Sequence, residues 1–235
     1  VSSKQGIRFQ LIWESCDSNF APDALVRQIT GVEQRTAGDI IFDGNSVDFT
    51  GPLEAREAGI ETVFQTLALA DDLDVPDNLF LGREITRFNL GPFSILDYRA
   101  MREATLAGLK KTAVKIPNIK NTIRNMSGGQ RQCVAIARTA TFHSKLTIMD
   151  EPTAALGVQE TAQVENIIRT LKEQGEPLIL ISHNMRQVFD LVDRIVVFRR
   201  GRICANLHKE DTDGQDVVAY ITGAKTQPEY QQAVN

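Results

Sequence analysis

Long apolar runs are missing from this 235-residue chain. None approaches the ~18 residues that a membrane-spanning helix needs, and no basic-then-apolar leader opens it. Any membrane association is therefore expected through a partner. Cysteine is scarce as well: Cys16, Cys133 and Cys204 are odd in number, far apart and in no C-x-x-C pair, which argues against a disulfide framework or a zinc site and fits a reducing cytosol. Clustered positive charge is also lacking. With 26 basic and 30 acidic residues, a formal net charge of -4 and no Lys/Arg block, composition gives no support for nucleic-acid binding. Lysine has a gap of its own, with none between Lys4 and Lys110. The first residue is Val1 rather than Met, which leaves room for an upstream segment of the natural protein.

What is present reads as one sizeable α/β core able to bury itself without staples. "IRFQLIW" (Ile7 to Trp13) alternates like a strand, "ALVRQITG" is a short helix, and "GDIIFDG" is a strand between glycine turns. "GIETVFQ" is another apolar strand, finishing on Gln65. After Pro76 the texture turns mostly helical, with the loop "NLGPFS" and a helix expected to start at an Asp97 N-cap. From Lys145 strands and helices alternate: "LTIMD", "VQETAQVENIIRTLKEQG", "PLILIS", "NMRQVFDLV", "RIVVFRRG" and "RICANL". Val164, Ile167, Ile168 and Leu171 fall on one helical face. Near-continuous apolar strands in a βαβα order imply a largely parallel, buried sheet. The expected organisation is a core formed by residues 1–75 and 144–224, a helical insert over 76–143, and a flexible tail over 225–235.

In such sheets ligands bind beyond the carboxyl ends of the strands. There the sequence places Gln65, the pair Asp150 and Glu151, and Ser182 with His183. An aspartate after an apolar strand can hold a magnesium ion while its neighbour polarises a water; the same two acids could also cap the next helix. "SGGQ" (Ser127 to Gln130) precedes a helix with an inner face of Cys133, Ile136, Ala137 and Ala140. Its backbone N–H groups could meet phosphate oxygens, or the turn could be a plain serine cap.

Taken together, in order and spacing, these segments resemble the ATP-binding subunits of ABC transporters over most of the chain. "MSGGQRQCVAIAR" is similar to the family's signature motif, "LTIMDEP" to its Walker B strand, "VFQ" to its Q-loop and "ISH" to its switch histidine. "DEPTAALGVQET", "LILISHNMRQVFDLVDRIVVFRRGR" and "AYITGAK" resemble the ATPases of bacterial monosaccharide importers of the fructose and ribose type. The resemblance implies a P-loop NTPase-like, RecA-like, mostly parallel sheet with an inserted helical subdomain and flanking antiparallel strands. It implies ATP and Mg2+ as cofactors, with Asp150 and Gln65 toward the metal, Glu151 as general base and His183 as a γ-phosphate hydrogen bond. Ser127, Gly128, Gly129 and Gln130 would touch ATP held by the opposite subunit of a head-to-tail dimer. The implied reaction is in-line transfer of the γ-phosphoryl group to water. The implied partners are a membrane permease at the cytoplasmic face of the inner membrane, a second ABC subunit forming a homo- or heterodimer, and indirectly a periplasmic sugar-binding protein.

One element of that family departs. A P-loop, G-x-x-x-x-G-K-[ST], should precede the helix at Ala24, and this chain reads "ESCDSNFAPDALVRQITGV" there. Alignment on "LVRQITGV" puts Asn19 and Ala21 where glycines belong, Pro22 at the lysine, and Asp23 and Ala24 at the hydroxyl pair. Proline lacks a backbone donor and aspartate brings the wrong charge. The loss removes several charge-assisted hydrogen bonds of about 1.5–3 kcal/mol each. The upstream strand and adenine-stacking aromatic of the family are also absent from these residues. Two expectations follow: an importer ATPase whose own nucleotide site is impaired, or a non-enzymatic subunit that lends its signature motif to an intact partner. ABC ATPases of DNA repair or translation are disfavoured by the slight acidity and the transport-like C-terminal stretch.

Overall fold

The computed structural model describes residues 9–13, 22–88, 94–142 and 144–231. In chain order the elements are β1 (Phe9–Trp13), α1 (Pro22–Ile29), β2 (Ile40–Phe42), β3 (Asn45–Val47), α2 (Pro52–Ala58), β4 (Ile60–Val63), α3 (Val75–Phe80), β5 (Thr86–Phe88), β6 (Ile95–Leu96) and α4 (Tyr98–Lys111). They continue as α5 (Gly128–Thr141), β7 (Leu146–Asp150), α6 (Val158–Glu173), β8 (Leu178–Ile181), α7 (Met185–Leu191), β9 (Arg194–Arg199), β10 (Arg202–His208), α8 (Gly214–Thr222) and α9 (Pro228–Gln231). Two compact units result, one from residues 1–62, 145–151 and 175–235, the other from 63–144 and 152–174.

The first unit is built on a six-stranded sheet in the order β10-β9-β1-β8-β7-β4. β1 runs parallel to both neighbours, with Leu11 opposite Ile181 and Val196, and β7 runs parallel to β8, with Asp150 opposite Ile181. The carboxyl ends of β7, β8, β1 and β9 therefore share one edge. Ile148, Ile195 and Val197 are fully buried, as apolar strands covered on both faces require. Each such side chain stabilises the fold by roughly 1.5–3 kcal/mol before conformational entropy is counted. β10 returns antiparallel to β9 through the two-residue turn Arg200–Gly201, and β2 to β3 through Asp43–Gly44. All four turn residues have positive φ, from 50° to 79°, so each turn matches the twist of its strands and needs a glycine in second place.

Residues 225–231 lie along β10. The Gln227 N–H donates to Cys204 O at 3.1 Å, its Oε1 accepts from Asn206 N at 2.8 Å, and α9 follows. β10 is an edge strand, and Gln227 satisfies three of its backbone groups, its Nε2 also donating to Asn206 O at 3.4 Å.

The second unit packs α3, α4 and α5 around Val75, Leu79, Phe80, Met101, Ile123, Met126 and Val134. Asp97 is the N-cap of α4, as expected, accepting from Ala100 N at 3.0 Å. Asn78, fully buried, accepts from Ala70 N at 2.7 Å and donates to Ala70 O, Leu73 O and Asp74 O, pinning residues 70–74 to α3. α5 is buried along most of its length, including Cys133, Ile136, Ala137 and Ala140. Burial and, secondly, the charge of Glu160 push the Cys133 thiol up to about 11. Val164, Ile167, Ile168 and Leu171 of α6 are all buried, and α6 lies against α5. The hairpin β5/β6 interrupts a stretch read as mostly helical, and β3 was not anticipated.

Candidate functional site

At the carboxyl edge of the sheet, β7 delivers Asp150, half-buried, and the chain then turns sharply at Glu151, whose φ is 46°. A glutamate held in the left-handed region carries a conformational cost of order 1–2 kcal/mol, which the surroundings must impose. The Glu151 N–H donates to Ile181 O at 2.9 Å, the last residue of β8. One residue past Ser182, the same strand end supplies His183. Its N–H donates to Glu151 Oε1 at 3.0 Å, and its Nδ1 lies 2.6 Å from that oxygen. Glu151 is largely covered, with 17% of its side chain exposed, while His183 is 75% exposed. The covered acid is thus fixed by a histidine that faces solvent.

His183 is positioned by its own local frame. Buried Ser182 donates from Oγ to Gln187 Oε1 at 2.9 Å and accepts from Asn184 N at 3.2 Å. Asn184 in turn caps α7, accepting from Gln187 N at 3.2 Å. The helix after the two acids, α6, begins at Val158 with Gly157 as its N-cap, so neither Asp150 nor Glu151 caps it.

In the second unit, Ser127 caps α5 in a capping box: its Oγ accepts from Gln130 N at 3.3 Å, and Gln130 Oε1 accepts from Ser127 N at 3.0 Å. The plain-cap reading of "SGGQ" is therefore realised, and the turn does more. Two of its donors already hold an anion. Ser127 Oγ donates to Glu160 Oε1 at 2.9 Å, Gly129 N donates to that oxygen at 3.2 Å, and Gly157 N donates to Glu160 Oε2 at 3.2 Å. Glu160 titrates below its ordinary value because of the Ser127 hydroxyl first and the Gly157 and Gly129 N–H groups next. A side chain at position 129 would meet Glu160 Cγ at 2.6 Å, so the glycine there is required by this contact. Sequence reasoning missed Glu160. Its signal was G-x-x-E at the start of an apolar helix, a capping-box pattern.

Gln65 lies beyond the end of β4 at Val63, exposed, and belongs with the signature turn to the second unit. Pro22 and Asp23 open α1, and Ala24 is half-buried. Asn19 and Ala21 lie outside the described residues. Among the described residues no group of three or more His, Cys, Asp or Glu gathers to hold a metal. Asp150 would reach a divalent cation only alongside oxygens that a ligand brings.

The profile of the family described as ABC transporter matches residues 24–154, a span holding Gln65, Ser127 to Gln130, Asp150 and Glu151. The chain belongs to the ABC transporter family. Among curated relatives of this ABC protein, the fructose import ATP-binding protein FrcA of Rhizobium meliloti is 43% identical over 90% of this chain and 83% of its own length. The xylose/arabinose import ATP-binding protein XylG of Sulfolobus acidocaldarius is 38% identical over 88% and 80%. The ribose import ATP-binding protein RbsA 2 of Streptomyces avermitilis is 33% identical over 85% of this chain and 38% of its own. The fold is shared with the ATP-binding cassette MJ0796 bound to ADP and Pi, at a TM-score of 0.71 and 20% identity over 89% of this chain and 88% of that one. A nucleotide-free ABC cassette gives 0.73 at 20% identity over 98% and 88%. The P-loop NTPase-like fold expected from the sequence is thus the fold of this ABC chain.

Proposed function

We propose that this chain is the ATP-binding subunit of an ABC importer for monosaccharides, docked on a permease at the cytoplasmic face of the membrane, with its own nucleotide site impaired. The carrying observation is the Glu151–His183 pair at the carboxyl edge of the sheet, in a chain whose relatives are named as fructose, xylose/arabinose and ribose import ATP-binding proteins. ATP, when bound, supplies the γ-phosphoryl group, and magnesium neutralises its charge. Glu151 takes the proton of the attacking water, and His183 holds its carboxylate in place. Asp150 and Gln65 are the groups assigned to the cation.

The donor chemistry fits ATP on one side only. Ser127 Oγ and Gly129 N already hold a carboxylate, so they suit a phosphate oxygen. Before α1 the lysine is missing, and Pro22 brings no N–H. That asymmetry favours a second reading, in which the chain lends Ser127 to Gln130 to ATP held by an intact ABC partner across a dimer.

The two readings separate in an assembly of this chain, an intact ABC subunit and the permease. Ser127→Arg abolishes hydrolysis under either. Glu151→Gln lowers the assembly's sugar-stimulated hydrolysis at least about tenfold if this chain hydrolyses ATP itself, and leaves it within about twofold if it only lends its signature. Failure to associate with any permease or ABC subunit would contradict both.

A further inference from the structure

We propose that Glu160 gates the signature turn: its carboxylate occupies the donors intended for the γ-phosphate of a partner's ATP and must swing away before that phosphate binds. The proposal rests on the reading above that Ser127 and Gly129 serve nucleotide across a dimer.

Three observations carry it. The contacts coincide, since Ser127 Oγ and Gly129 N both end on Glu160 Oε1 at 2.9 and 3.2 Å. Each has one proton to give, so neither can serve a phosphate oxygen while serving the carboxylate. Next, the space is taken. A Cβ at Gly129 would lie 2.6 to 2.8 Å from Glu160 Cγ, Cβ and Cδ, so the acid lies directly against the turn. Third, the charges conflict. A phosphate entering this turn meets an ionised carboxylate, which the turn's own donors keep ionised, and the two repel at short range.

The gate has a second hinge point. Glu160 Oε2 accepts from Gly157 N at 3.2 Å, so one carboxylate ties the turn at the start of α5 to the turn at the start of α6. Displacing it frees both at once. Arrival of a phosphate at Ser127 is thereby coupled to release of the "AALG" segment that ends on Gly157. Glu160 is a positioning residue in this scheme: it sets the threshold for nucleotide engagement and takes no part in phosphoryl transfer.

The test uses the full chain assembled with an intact ABC subunit and the permease, following Mg-ATP hydrolysis with wild type, Glu160→Gln, Glu160→Ala and Ser127→Arg. Glutamine keeps the shape of the side chain and an oxygen for Gly157 N without the charge; alanine removes the occupant, so a single folded variant of the two suffices. The expected result is a KM for ATP lowered about tenfold in Glu160→Ala, where the occupant is gone, and by a smaller factor in Glu160→Gln, where only its charge is, with kcat within about twofold in both. An unchanged or raised KM alongside loss of hydrolysis in Ser127→Arg overturns the gate and leaves the dimer reading standing. Hydrolysis unaffected by Ser127→Arg removes the dimer reading, and the gate with it.

Discussion

Glu160 and Glu151 show how differently two carboxylates on one chain are used. Glu151 sits at φ 46° against His183, a strained backbone that its neighbours enforce, whereas Glu160 is satisfied by three donors from two helix starts. Those donors favour the charged form, so its pKa is lowered by folding. A lowered carboxylate pKa contributes stability that is present above the unfolded pKa and lost as pH falls through the folded one. Wild type should therefore have a higher urea midpoint than Glu160→Gln at pH 7, with the gap narrowing as pH falls below the ordinary glutamate range and through the lowered folded pKa. A gap that persists or widens at low pH would show that charge is not what Glu160 contributes. In the sequence, Glu151 was visible because two acids followed an apolar strand. Glu160 was hidden because its partners, Ser127 and Gly129, stand far away along the chain and only the fold brings them near.

Elements with a strong period or a clear cap were legible, among them α4 from Asp97, α6 from its buried face of Val164, Ile167, Ile168 and Leu171, and the parallel strands from their apolar runs. Short hairpins were not. Thr86, Arg87 and Phe88 of β5 are all exposed and β3 is "NSV", so neither shows the alternation that marks a half-buried strand. The pairing of Gln227 with β10 was likewise not legible, because a tertiary contact to an edge strand leaves no mark in composition. Asn78 gives the sharpest stability test at this scale. Asn78→Ala removes four hydrogen bonds made by a fully buried side chain and leaves Ala70 N without its partner, while Ala70 O, Leu73 O and Asp74 O keep only their backbone donors. The expected loss is about 3 kcal/mol or more by urea unfolding; a loss under about 1 kcal/mol would mean that residues 70–74 do not depend on α3.

For the molecule as a whole, the structure divides the inherited machinery unevenly. The first unit brings Asp150, Glu151 and His183 to one sheet edge, and the second presents Ser127 to Gln130 on a donor-rich turn. The helix that should open behind a phosphate loop instead opens with Pro22 and Asp23. On the proposed reading the Glu151–His183 pair serves hydrolysis on this chain, a role that a scaffold lending only its signature would not need. Magnesium-dependent ATP binding to the purified chain, measured by calorimetry with Glu151→Gln included to suppress turnover, tests this account most directly. The account predicts no saturable heat up to about 1 mM ATP, a binding free energy weaker than about 4 kcal/mol. A micromolar Kd would contradict it and show that the stretch from Cys16 to Ala24 cradles phosphate without the lysine.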